Sequence, residues 1–139
     1  MKFWDSSAIV PLLIAENDSP LRESQIRAHP DQLVWYGTPA EIESAICRRI
    51  RENTLDPAVA TNARSKLKIL AQSWLEVQPT PLIRDRAIRL LRVHPLRAAA
   101  AFQLAAALTA FGEITNGNTF LTADLRLAKA ASLEGFDLQ

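Results

Sequence analysis

Short apolar runs alternate along the chain with longer segments whose hydrophobic residues recur every three or four positions. That alternation predicts parallel strands covered by helices. Phe3-Trp4 ends in Asp5 and is followed by the apolar stretch Ala8 to Ala15, a strand, a turn and a helix. Ser19 and Pro20 suit the cap and first position of a helix reaching about Ala28, and Leu33 to Tyr36 reads as a second strand. Thr38, Pro39 and Glu41 spell a capping box opening a helix with Ile42, Ala45, Ile46 and Ile50 on its apolar face. A further helix starts at Pro57 and repeats Val59, Ala63, Leu67, Leu70 and Trp74 before a third strand candidate, Leu75 to Val77.

After Pro81 the spacing predicts a helix that buries Ile83, Ala87, Leu90 and Leu91 and turns Arg86, Arg89 and Arg92 outward. Ala98 to Phe111 is apolar on every side except at Gln103 and Thr109, the pattern of a helix buried nearly all round. Asn118 to Thr122 reads as a fourth strand, Asp124 as the cap of a helix carrying Leu125, Leu127, Ala128 and Ala131, and Phe136 to Leu138 as a final edge strand. The fold class is therefore α/β with a central parallel sheet, its strand order left open.

The 139 residues make one domain, 1–139, and the 48% apolar and 22% charged content excludes disorder. A chain this long needs no staple, and Cys47, the lone cysteine, has no partner for a bridge. No apolar run approaches the ~18 residues a membrane span requires. Asp5 stands where a secretory leader would be apolar, so a soluble, cytoplasmic protein is expected. A net charge of +1 does not announce a nucleic-acid binder, but Arg48, Arg49 and Arg51 cluster, as do Arg84, Arg86, Arg89, Arg92 and Arg97. Arginine forks phosphate bidentately, although a solvated helix face explains any single cluster.

The functional crevice of an open α/β sheet lies beyond the carboxyl ends of its strands. Asp5 and Asp124 fall there, and Glu41 begins a helix that follows a strand. Converging carboxylates resist ionising without a compensating cation, and an oxygen-only set selects Mg²⁺ or Mn²⁺. Each acid has a plainer alternative: the two aspartates as helix caps, Glu41 as the capping-box partner. His29 and His94 each precede a proline and read as loop residues, and no phosphate-loop, dinucleotide or zinc motif is present.

Four blocks in order, Phe3 to Glu16, Thr38 to Ile50, His94 to Leu108 and Phe120 to Ala131, resemble the PIN-domain ribonucleases, specifically the VapC toxins of toxin–antitoxin pairs. The resemblance spans essentially the whole chain. It implies a three-layer α/β/α PIN-like domain whose acidic pocket binds Mg²⁺ or Mn²⁺. Asp5 matches the first metal-binding aspartate, Glu41 the helix-borne glutamate, Asp124 the late aspartate and Thr122 the hydroxyl residue before it. Glu43 is an extra acid off that face. Where the family reads Leu-Arg-Ala-Ala-Asp-Ala, this chain reads Leu96-Arg97-Ala98-Ala99-Ala100-Ala101, so Ala100 occupies a vacated ligand position. Alanine suits a helix, so structure alone would not object to it. An inactivating substitution or a natural loss both account for it, and the intact neighbours Arg97 and Gln103 favour a recent single change.

By resemblance the activity is metal-dependent hydrolysis of RNA phosphodiesters, impaired in this chain by Ala100, with Arg48, Arg49 and Arg97 holding the RNA backbone. The implied partners are a VapB-type antitoxin, transfer RNA or another structured RNA, and a second copy in a homodimer. Trp4, Trp35, Tyr36 and Trp74 are candidate interface anchors with core packing as the plainer role, and the helices from Ser19 and Pro57 are a candidate antitoxin groove. The competing reading is a catalytically inactive binding module that sequesters antitoxin or RNA. A phosphate-accepting domain using Asp5 is a distant third, since Asp5-Ser6-Ser7 lacks the second acid such sites carry.

Overall fold

A computed structural model describes residues 1–139. Its four strands, β1 (Lys2–Trp4), β2 (Gln32–Trp35), β3 (Leu75–Val77) and β4 (Thr119–Leu121), form one wholly parallel sheet in the order β3-β2-β1-β4. The register pairs Phe3 with Leu33 on one side and with Phe120 on the other. The strands are so short that two alternating residues define both faces. Phe3, Leu33, Trp35 and Phe120 point to one core, and Trp4, Val34 and Leu121 to the other.

Seven helices cover these faces in two layers. Helices α1 (Ser6–Leu13), α3 (Thr38–Arg51) and α4 (Pro57–Ala71) pack on the Trp4 side through Ile9, Ile42, Ile46 and Ala63, with α2 (Ser19–Ala28) against α1. Helices α5 (Pro81–Val93), α6 (Ala98–Ala110) and α7 (Leu125–Leu133) cover the Phe3 side through Leu90, Leu104 and Leu127. The architecture is a three-layer α/β/α sandwich. No helix is long and apolar enough to cross a membrane.

Several local expectations are corrected by tertiary contacts. The box at Thr38 does not form, because Gly37 takes the cap position without a side-chain bond and Thr38 is buried within the first turn. At α2 the cap position belongs to Asp18, while the Ser19 hydroxyl donates to the Pro11 carbonyl at 2.7 Å and so ties α2 to α1. Leu91 is 40% exposed, since Ile83, Ala87 and Leu90 already fill the α5 face. Arg86 lies against Glu113 and donates to Thr109 at 2.7 Å, so it is not a free outward charge. The first turn of α6 is solvent-exposed at Ala98 and Ala99, and burial begins at Ala101. Phe136 to Leu138 contributes one bridge, Thr119 to Asp137, and no full strand. His94 is buried at the end of α5 with its Nε2 2.9 Å from Glu134, a helix-to-helix tie.

Candidate functional site

The carboxyl ends of β1 and β4 meet because these strands are neighbours, and the chain leaves each through an aspartate. Asp5 follows β1, an inner strand, and is 4% exposed. Every hydrogen bond it accepts arrives on Oδ2: from the Ser7 amide at 3.2 Å, the Ser7 hydroxyl at 2.5 Å and the Thr122 hydroxyl at 2.9 Å. Oδ1 is left without a protein donor. Burial raises the Asp5 pKa, the Ser7 and Thr122 hydrogen bonds oppose that rise, and the charge of Asp124 adds to it.

Glu41, freed from any capping duty, extends from the first turn of α3 toward α1 and α6. Ser6 donates to its Oε1 at 3.1 Å, and Gln103, wholly buried on α6, donates to its Oε2 at 2.9 Å and to the Thr38 hydroxyl at 3.1 Å. Burial, and then the neighbouring charge of Asp5, push the Glu41 pKa up to about 7, against the opposing hydrogen bonds from Gln103 and Ser6. Two carboxyl groups, each reluctant to ionise, thus share one corner of the sheet, with Glu41 under the field of Asp5 and Asp5 under that of Asp124.

Asp124 is different. It is exposed, and its Oδ1 accepts from the Arg126 and Leu127 amides at 2.9 and 3.2 Å, capping α7. Thr122 links the two turns: its hydroxyl donates to Asp5 and accepts from the Asp124 amide at 3.0 Å. Around them opens a cleft of about 670 Å³ whose lining includes Glu41, Asp124, Arg48, Arg49 and Arg97. Arg49 is paired with Glu16, whereas Arg48 and Arg97 are exposed and form no ion pair. Ala99 lines the cleft. Ala100, one turn before Gln103, is half-buried against the core that α5, α6 and α7 build. Glu43 lies on the other side of α3, and its salt bridge to Arg64 of α4 lowers its pKa.

Arg22 stands out as a residue that sequence reasoning missed. It is 3% exposed on α2, and its Nη2 donates to the Thr122 carbonyl at 3.1 Å and its Nη1 to Gln25 at 3.0 Å. Burial lowers its pKa, partly offset by the charges of Asp18 and Asp5. It holds the turn after β4 from below and supplies positive charge behind Asp5. An arginine amid the polar residues of α2 gives no pattern that would reveal this.

No three of the Asp, Glu, His and Cys side chains lie close enough together to form a metal-binding group. The donor set is nonetheless all oxygen, with two carboxyls whose pKa values are raised and a third at the rim. Oxygen donors of this kind suit a hard cation such as Mg²⁺ or Mn²⁺ by their chemistry, although three of them do not converge on one point.

The fold is shared with solved structures. The chain superposes on the crystal structure of PAE2754 from Pyrobaculum aerophilum with a TM-score of 0.69 and 20% identity, covering 99% of this chain and 89% of that one. It superposes on FitAcB from Neisseria gonorrhoeae with a TM-score of 0.66 and 15% identity, covering 99% and 96% respectively. At these identities the likeness is one of fold, and the fold is PIN-like. No family model matches the sequence, and no curated protein matches it.

Proposed function

We propose that this chain is the toxin component of a VapC-type toxin–antitoxin pair, a metal-dependent ribonuclease whose cleavage is curtailed by Ala100. The observation that carries this reading is the Asp5–Glu41 pair: a buried and a half-buried carboxyl with raised pKa values at the carboxyl edge of the sheet, beside a cleft with two unpaired arginines. Structural ion pairs satisfy their acids. These two have hydroxyl and amide donors but no cation partner, and the charge of Asp5 still raises the Glu41 pKa, which suits a site that takes a positive ligand.

Asp5, Glu41 and Asp124 would hold Mg²⁺ or Mn²⁺, with position 100 the absent fourth ligand. Such an ion, when bound, lowers the pKa of its water and neutralises charge on the phosphate. Ser7 and Thr122 fix Asp5 through Oδ2, and Ser6 and Gln103 fix Glu41 through both oxygens. Arg48 and Arg97 orient the RNA phosphates, and Arg49, engaged by Glu16, shapes the wall. A VapB-type antitoxin has a ready seat in the groove of α1, α2 and α4, lined by Leu12, Leu13, Ile26, Ile69 and Leu70. A homodimer and a cytoplasmic location complete the proposal.

The competing reading, an inactive module that binds antitoxin or RNA, draws on the alanine at position 100 and on the absence of three acids close enough together to hold an ion. Calorimetric Mn²⁺ titration and transfer-RNA cleavage, run on this chain and on Ala100→Asp, separate the two. Loss of even an outer-shell partner costs a metal site roughly 10- to 100-fold, so restoring a direct ligand is expected to raise cleavage by about 100-fold or more. If neither protein binds the ion or cuts while both stay folded, the binding-module reading replaces the nuclease.

A further inference from the structure

Beside the acidic cleft, at the carboxyl ends of β2 and β3, a second cavity of about 390 Å³ is lined by Trp35, Pro79, Thr80, Pro81, Arg84 and Phe102. Its chemistry differs from that of the cleft, since it contains no acid. Its walls are flat and rigid: Trp35 and Phe102 stack with ring centroids 5.6 Å apart and planes within 8°. Trp35 is 8% exposed and fixed at the end of β2, whereas Phe102 on α6 is only half-buried. Tyr36 meets Trp35 edge-on at 6.3 Å and is 52% exposed.

Two observations argue against these rings being simply the end of the core. The indole Nε1–H of Trp35 donates to no protein atom, and a Cβ on Gly37 would lie 2.7 Å from that nitrogen. Only glycine lets the indole rest against the turn that leads into α3. Arg84 stands over the cavity with its side chain 65% exposed, and its one acidic neighbour, Asp85, is at 3.8 Å. Flat aromatic and prolyl faces below a solvated guanidinium match a planar heterocycle attached to a phosphate.

We propose that this cavity is a nucleobase subsite: it receives one unpaired base of a single-stranded RNA segment against Phe102 and Trp35, with Arg84 on the adjoining phosphate. The proposal deepens the ribonuclease reading and rests on it. Trp35 and Thr38 are three residues apart, and Phe102 is next to Gln103, which bonds Glu41. The strand that delivers the aromatic wall therefore leads directly into the helix that carries the acid. A base seated here would fix the register of RNA along the crevice, which phosphate contacts alone do not.

The test uses the chain as it stands, in EDTA and low salt, so that neither metal nor cleavage is needed. Fluorescence anisotropy is read for a labelled single-stranded RNA oligomer and for versions carrying one abasic nucleotide at each position in turn. Removing one particular base is expected to weaken binding about tenfold, from the stacking it forfeits. Phe102→Leu, which keeps most of the buried volume, is expected to lose that dependence. Arg84→Ala, at an exposed position, should weaken every oligomer and flatten the salt dependence.

If intact and abasic oligomers bind alike, the subsite is refuted while backbone binding and the nuclease reading stand. If no oligomer binds, the subsite is refuted, and the Ala100→Asp cleavage assay judges the nuclease reading separately. If Phe102→Leu or Arg84→Ala changes sedimentation rather than RNA affinity, a second copy of the chain fills the cavity and the proposal is overturned.

Discussion

Asp5 and Asp124 each follow a three-residue buried strand, and each caps the helix that comes next, yet they end in opposite environments. Asp5 leaves an inner strand with neighbours on both sides and helices above, so it is sealed in and its charge is penalised. Asp124 leaves the edge strand and stays in solvent, free to act as an ordinary cap. The same strand-acid-helix pattern therefore makes a buried candidate ligand in one turn and a solvent-facing cap at the cleft rim in the other. Strand position in the sheet decides which, and strand position is not written in either segment.

Parallel alanine substitutions give the largest test of this contrast. Asp5→Ala removes a cap and leaves the Ser7 amide, the Ser7 hydroxyl and the Thr122 hydroxyl without their acceptor. Several part-buried donors stranded together, with the lost cap, predict a loss of about 3 kcal/mol in chemical denaturation at pH 7. Asp5→Asn keeps an oxygen for those donors and removes the buried charge. Metal-free, it should be at least as stable as the parent while losing any stabilisation by Mn²⁺. A destabilised Asp5→Asn would mean that the carboxylate is a structural anchor and that the site reading of the first turn is wrong.

Local sequence carried the fold class well and the site unevenly. A strand of apolar residues followed by an aspartate and a proline- or alanine-rich helix start is a short-range signal, which is why β1, β4, α1 and α7 were legible. Glu41 was ambiguous because a capping box is also local, and what pulls the side chain away from it is Gln103, 62 residues later in the chain. Arg22 was silent for the same reason, its key acceptor being the carbonyl of Thr122. The Trp35–Phe102 wall joins β2 to α6, and nothing near either residue marks it as a pair. Residues that act through their own turn can be read from sequence; residues that act across layers need the packing.

Glu41 provides the next test, through pH. Its folded pKa of about 7 lies above the ordinary 4.5, so the folded state binds more protons than the unfolded one between these values. Metal-free stability should therefore be highest near pH 4.5 on this account and fall as pH rises through 7, by roughly 2 kcal/mol after allowing for partial solvation. Asp5, also raised, acts in the same direction. Thermal melts from pH 5 to 8 should show the decline, Glu41→Gln should flatten it, and Mn²⁺ should stabilise more at pH 8 than at pH 5.5. A parent whose melting temperature is unchanged across that range would mean that neither burial nor the charge of Asp5 raises the Glu41 pKa in the folded protein.

The smallest effect belongs to the outer acid. Asp124→Ala deletes the Oδ1 acceptor of the Arg126 and Leu127 amides, and an exposed cap of this kind contributes about 1 kcal/mol. Solvent replaces the lost acceptor, so the melting temperature should drop by about 3 to 5 °C. Asp124→Ser, which restores a capping oxygen without the charge, should recover most of that loss. It separates the two duties of this residue: if Asp124 also serves the cation, serine rescues the melt but not the Mn²⁺ affinity of the Ala100→Asp protein. If serine rescues both, Asp124 is a cap alone, and the ion belongs to Asp5, Glu41 and the restored residue at 100.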